Sequence, residues 1–267
     1  MCHDAKAAPP IYAPPTTTVD AAPLSLTSVD GATFAAFLAR PAQPSGVGVL
    51  VLPDNAGLSG FYEQLAVHLA EQGHTALAID YFGRTAGTGY RARDEGFGQM
   101  EQLMKHLAML TPDGLYGDII AAADHLRAPD GGNCRAVVAL GFCFGGRYAF
   151  FAAAPRFGLA GVIGFYGVPG SAGPYGPGPT QHAAEFRAPI LALFGGADHG
   201  IPRSEVTAFD DALTKAGVEH QIVIYPGAPH SFFDRKQNEY AEACGDAWRR
   251  VRAFLQERST SPDASPA

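Results

Sequence analysis

The chain has 267 residues, 47% hydrophobic and 17% charged, with a formal net charge of −7 at pH 7. This length fits one α/β domain, and the apolar content is enough for a large buried core. An acidic balance without a basic stripe argues against a nucleic-acid partner, and no stretch approaches the roughly 18 apolar residues of a membrane span. The expected partner is a small molecule.

The four cysteines, Cys2, Cys134, Cys143 and Cys244, lie far apart and form no CxxC pair. That spacing predicts neither a disulfide framework nor a thiolate zinc site, and a reducing cytoplasm suits it. Met1 to Pro15 lacks the basic-then-apolar order of a signal peptide. No cofactor motif is present, so no metal or cofactor is expected.

Residues 1–23 are proline-rich and residues 258–267 are rich in Ser, Pro and Ala, a composition that predicts disordered tails around a single domain over 24–257. From Leu24 to Arg40 loose alternation around Asp30-Gly31 predicts an antiparallel hairpin at a sheet edge. Val47–Leu52 is a continuous apolar run of strand length. Phe61–Gln72 has helical spacing and stops at Gly73, and Thr75–Ile79 is a second buried strand. This strand-helix-strand order predicts a mostly parallel sheet covered by helices on both faces.

The aperiodic segment Tyr81–Gly96 reads as a surface loop near the site. Helices are expected over 98–109 and 115–127, then a strand at Ala136–Leu140 and a helix from Arg147 to Ala154. Leu159–Phe165 and Pro189–Phe194 read as further strands, separated by a glycine- and proline-rich loop over 167–179. A helix at 203–216, a strand at Gln221–Tyr225 and a helix at 239–257 end the pattern.

Gly141-Phe142-Cys143-Phe144-Gly145-Gly146 sits between the Ala136–Leu140 strand and the following helix. A Gly-x-Cys-x-Gly spacing at a strand-turn-helix matches the nucleophile elbow of α/β-hydrolases, with sulfur in place of the usual serine oxygen. The nucleophile takes a strained backbone there, and the glycines two residues away let strand and helix approach. The thiol also lies beside a helix N-terminus, which favours negative charge. In this fold the acid and then the histidine follow the nucleophile in the chain. Asp198 ends the Gly195-Gly196-Ala197-Asp198 loop after one strand, and His230 ends Pro226-Gly227-Ala228-Pro229-His230 after the last. His68, His106 and His125 fall on predicted helices, and His3 in the tail.

With Gly141–Gly146, Gly195–Asp198, Gly227-Ala228-Pro229-His230-Ser231-Phe232 and Asp80-Tyr81-Phe82-Gly83-Arg84 in hand, the chain resembles the dienelactone hydrolase family over roughly 24–257. The resemblance implies an α/β-hydrolase fold and a Cys143, His230, Asp198 triad that opens an ester or lactone through an acyl-thioenzyme. It also implies an oxyanion hole from the backbone N–H groups of Phe144 and Asn55. Where the family usually carries a glutamate engaging the resting nucleophile, this chain has Asp54, one methylene shorter, so any tuning of the thiol by that carboxylate is expected to differ. Arg84 and Arg235 are the candidates by position for recognising a substrate carboxylate. The other readings are a general carboxylesterase or thioesterase, and a protein of this fold that binds a ligand without turnover. The intact acid and histidine argue against the last.

Overall fold

The computed structural model describes residue 9 and residues 13–93, 97–171, 176–234 and 236–260. Its eight strands are β1 (Val19–Thr27), β2 (Thr33–Pro41), β3 (Val47–Leu52), β4 (Thr75–Ile79), β5 (Ala136–Phe142), β6 (Gly161–Phe165), β7 (Ile190–Gly195) and β8 (His220–Tyr225). They form one sheet in the order β1-β2-β4-β3-β5-β6-β7-β8. β1 and β2 pair antiparallel with each other, and β2 with β4, while the other pairings are parallel. The helices are α1 (Gly60–Glu71), α2 (Gly83–Ala86), α3 (Met100–Met109), α4 (Pro112–Arg127), α5 (Phe144–Phe151), α6 (Pro179–His182), α7 (Arg203–Ala216) and α8 (Ala241–Thr260).

The central strands are almost wholly apolar because both faces are covered. Every residue of β3, β4, β5, β6 and β7 is buried. Each aliphatic side chain so enclosed contributes on the order of 1.5–3 kcal/mol, which holds the sheet as one rigid base for the loops at its ends. Parallel pairing puts the carboxyl ends of β3 and β5 through β8 on one edge of that sheet.

Several boundaries differ from the sequence reading. β1 begins at Val19, so the limit expected between residues 23 and 24 falls inside a strand that pairs continuously from Val19 opposite Pro41 to Thr27 opposite Thr33. Its residues are largely exposed, which removes the apolar signal, and Pro23 is tolerated because β1 lies at the sheet edge. α8 continues to Thr260, three residues past the expected domain end. α4 starts at Pro112 because the Thr111 hydroxyl accepts the Gly114 N–H at 3.2 Å, a cap with proline in the first turn. α5 starts at Phe144, immediately after the elbow, rather than at Arg147.

Of the two stretches expected to be irregular, the first carries helical turns, α2 and a 3-10 turn at Tyr90–Ala92 among its described residues, while over 167–179 the described residues stay irregular up to Pro179, where α6 begins. Among the described residues no helix is long and apolar enough to cross a membrane.

Candidate active site

β5 delivers Cys143 into a turn with φ 53° and ψ −110°, a left-handed conformation that costs a non-glycine residue on the order of 1–3 kcal/mol. Tertiary contacts hold it there. The Cys143 N–H donates to the Phe165 carbonyl at the end of β6 (3.0 Å), and the Gly145 N–H donates to the Pro53 carbonyl after β3 (3.0 Å). A Cβ at Gly141 would lie 2.1 Å from the Gly145 carbonyl oxygen, and one at Gly145 would lie 2.1 Å from that of Leu52. The spacing legible in the sequence is therefore a packing requirement between β5, α5 and the end of β3.

Asp198 follows β7 and His230 follows β8. The Nδ1 of His230 lies 2.6 Å from Oδ2 of Asp198, whose side chain is only 1% exposed, and the Gly200 N–H donates to the other oxygen, Oδ1, at 2.8 Å. A buried carboxylate with each oxygen bonded holds the imidazole in one orientation. The His230 ring packs on Tyr166, with centroids 5.0 Å apart. Tyr166 is the residue after Phe165, which accepts the Cys143 N–H, so Phe165 and Tyr166 join the cysteine turn to the histidine. Cys143, Phe144, His230 and Asn55 share intermediate exposure.

The segment after β3 completes this edge. The Asp54 N–H donates to the Tyr62 hydroxyl (3.0 Å), the Ala56 N–H to Asp54 Oδ1 (2.8 Å), the Gly57 N–H to the Asp54 carbonyl (3.2 Å) and the Leu58 N–H to Asp80 Oδ1 (3.0 Å). In that run only the Asn55 N–H makes no hydrogen bond. Asn55 is also the only residue from 51 to 59 that is not buried. Asp54 is fully buried, and Oδ1 of its carboxylate closes its own turn onto Ala56.

Three side chains that sequence reasoning missed support the loops. The Tyr81 hydroxyl donates to the Pro53 carbonyl (2.8 Å), the same acceptor that Gly145 uses, and its ring packs edge-on to Phe144. Burial pushes this phenol well above the usual tyrosine range, with Asp54, Tyr148, Asp80 and Cys143 adding in the same direction, so it stays a proton donor. Arg93 makes a forked pair with fully buried Asp80 (2.6 and 3.1 Å) and lies over the rings of Phe82 and Phe97. Arg147, only 4% exposed, donates to the carbonyls of Val168 (3.0 Å), Gly170 (2.6 Å) and Pro177 (3.1 Å), gathering the loop after β6. Tyr81 was visible inside the Asp80–Arg84 motif. Arg93 and Arg147 had no signal, since an arginine in a loop or on a helix is ordinarily solvated.

Of the two arginines expected at the substrate, Arg84 is engaged by carboxylates. It pairs with Asp30 in the hairpin turn and with Asp118 of α4 (2.7 Å), and it donates to the Gly114 carbonyl (3.3 Å). It ties the β1–β2 hairpin to α4. Arg235 lies outside the described residues. Among the described residues, no group of three His, Cys, Asp or Glu side chains could hold a metal ion.

The dienelactone hydrolase family pattern matches residues 34–259. A Yersinia pestis protein provisionally named carboxymethylenebutenolidase is 28% identical over 231 residues, covering 85% of this chain and 84% of its own. An Escherichia coli K12 protein with the same provisional name is 28% identical over 248 residues, covering 89% and 88%. A crystal structure from Klebsiella pneumoniae, provisionally named a dienelactone hydrolase, superposes with a TM-score of 0.76 at 25% identity, covering 90% of this chain and 99% of that one. With the family pattern spanning β2 to α8 over a sheet of this topology, the chain belongs to the dienelactone hydrolase family and is a hydrolase of ester or lactone bonds.

Proposed function

We propose that the chain hydrolyses a small-molecule ester or lactone through a Cys143, His230, Asp198 triad and an acyl-thioenzyme. The observation that carries this reading is the 2.6 Å His230–Asp198 pair on the same sheet edge as a cysteine at positive φ. His230 Nε2 takes the thiol proton as sulfur attacks the substrate carbonyl. Charge builds on the carbonyl oxygen, where the N–H groups of Asn55 and Phe144 stabilise it; one such donor is worth about 3–4 kcal/mol. The tetrahedral species collapses, the C–O bond breaks, and the imidazolium gives its proton to the leaving oxygen. Water then attacks the thioester, His230 takes its proton and returns it to sulfur, and the acid departs. Asp198 fixes the tautomer and stabilises the imidazolium.

The substrate is read from the provisional names of the relatives as a lactone of the carboxymethylenebutenolide kind. Since Arg84 is already held by Asp30 and Asp118, recognition of a substrate carboxylate is assigned to Arg235. A general carboxylesterase or thioesterase is the alternative if neutral esters prove better substrates. Brief exposure to an activated aryl ester followed by intact-mass and peptide analysis tests the mechanism. The expected result is one acyl group on Cys143, and none on the Cys143→Ala variant, which loses hydrolysis. Acylation elsewhere, or normal turnover by Cys143→Ala, would sink the proposal.

A further inference from the structure

The sheet edge opposite the catalytic loops holds an open cavity of about 440 Å³ that the reaction above does not use. His74, which lines it, precedes β4, and β4 runs parallel to β3 and β5. The cavity is therefore at the amino end of these strands, while Cys143, Asp198 and His230 follow carboxyl ends. One wall is Gln72 at the end of α1, with the segment before β1 pinned against it. The Thr16 N–H and hydroxyl both donate to the Glu71 carbonyl (2.8 and 2.7 Å), and Gln72 Nε2 donates to the Pro14 carbonyl (2.9 Å). His74, tied through Nδ1 to the Ser45 hydroxyl (2.9 Å), adds a second side. The third is α8, from which Arg249, Arg252, Gln256 and Ser259 line the cavity at spacings of three, four and three residues, which is one face of a helix.

The chemistry of this lining is one-sided. It carries two guanidinium groups, two carboxamides, hydroxyls and an imidazole, and among the described residues no carboxylate, in a chain of net charge −7. Arg249 shares the Asp246 carboxylate with Arg250 and the Tyr225 hydroxyl. Among the described residues Arg252 makes no hydrogen bond or ion pair, and its charge reaches His74, whose pKa it joins burial in lowering. An uncommitted guanidinium fork beside amide and hydroxyl donors matches the oxygens of a phosphate or carboxylate group. We propose that this cavity binds a small multivalent oxyanion, a phosphate monoester or a compact polycarboxylate, with Arg252 as its main charged contact and Arg249, Gln72, Gln256 and Ser259 as further donors. The site is separate from the catalytic edge and does not depend on the triad reading.

The test is calorimetric titration of the full chain at pH 7 with inorganic phosphate and, separately, with citrate. Sodium chloride holds the ionic strength constant, because exposed charges are screened by salt. The expected result is a saturable one-to-one isotherm for at least one of the two, with a dissociation constant of about 1 mM or tighter. Saturation by phosphate alone assigns a phosphate ligand, and saturation by citrate alone a polycarboxylate. Arg252→Ala, an exposed helix position where alanine is well tolerated, should weaken binding by about tenfold or more, and Arg252→Gln should do the same. Gln256→Leu should weaken it by a smaller factor. Arg156→Ala removes the same charge from an exposed turn outside the cavity and should bind as the parent does. Absence of saturation with both anions, unchanged affinity in Arg252→Ala, or an equal loss in Arg156→Ala would overturn the assignment.

Discussion

At the scale of single residues, the His230–Asp198 pair is the best-defined part of the candidate site. Asp198 accepts the Gly200 N–H on one oxygen and pairs with His230 on the other, and in the proposed mechanism it positions the imidazole rather than carrying a proton. Replacing it with asparagine leaves its shape but offers an N–H to an imidazole nitrogen that should itself be the donor, so the wrong tautomer is favoured. Asp198→Asn is therefore expected to lower kcat by two to four orders of magnitude, with KM nearly unchanged and with no additive loss in the Cys143→Ala background. Steady-state kinetics of the single and double variants check this. An Asp198→Asn enzyme of normal kcat would place the orienting acid elsewhere.

Elements are joined around the site by Arg93 and Arg147. Asp80 at the end of β4 links the segment after β3, through the Leu58 N–H, to the loop after β4, through Arg93. Removing the guanidinium leaves a fully buried carboxylate without its counter-charge. Arg93→Met is expected to cost about 3–5 kcal/mol of unfolding free energy, measured by denaturant titration. A further Asp80→Asn change should recover part of that loss, because the uncompensated charge is gone. The same break loosens the Asn55 loop, so kcat should fall in Arg93→Met even well below its midpoint. Full activity would show that the tie is structural only. Arg147 performs a comparable task for the loop after β6 with backbone carbonyls as acceptors.

For the whole molecule, the clearest pH dependence comes from a histidine at the start of β4. His74 precedes β4 and bonds through Nδ1 to the Ser45 hydroxyl at 2.9 Å; burial, with Arg252 adding to it, lowers its pKa from 6.5 to about 4. The folded protein thus keeps His74 neutral where the unfolded chain protonates it. Stability from this source is complete above pH 6.5, declines as pH falls toward 4, and stays lost below that. The total is about 3 kcal/mol. His74→Gln keeps a polar group for Ser45 but does not titrate, so its unfolding free energy should decline less between pH 6.5 and 4 than that of the parent. Parallel pH profiles of the two would remove His74 from the account.

The sequence by itself determined the order of the strands and the longer helices and the three loops that carry Cys143, Asp198 and His230. It could do so because buried parallel strands are continuous apolar runs and a tight elbow demands glycine at fixed spacing. The edge strand β1 was not legible before Leu24, since an exposed strand has no apolar period and Pro23 masks it. What only the tertiary structure decided is which polar groups are already occupied. Arg84 and Arg93 are both loop arginines in sequence, yet the first is held by Asp118 of α4 and the second by Asp80 at the end of β4. For Asn55 the resemblance marks only the backbone N–H, and that the amides of Asp54, Ala56, Gly57 and Leu58 are bonded around it shows only in the structure. Hydrogen-bond commitment depends on partners brought together across tens of residues, and no local pattern of residue types encodes it.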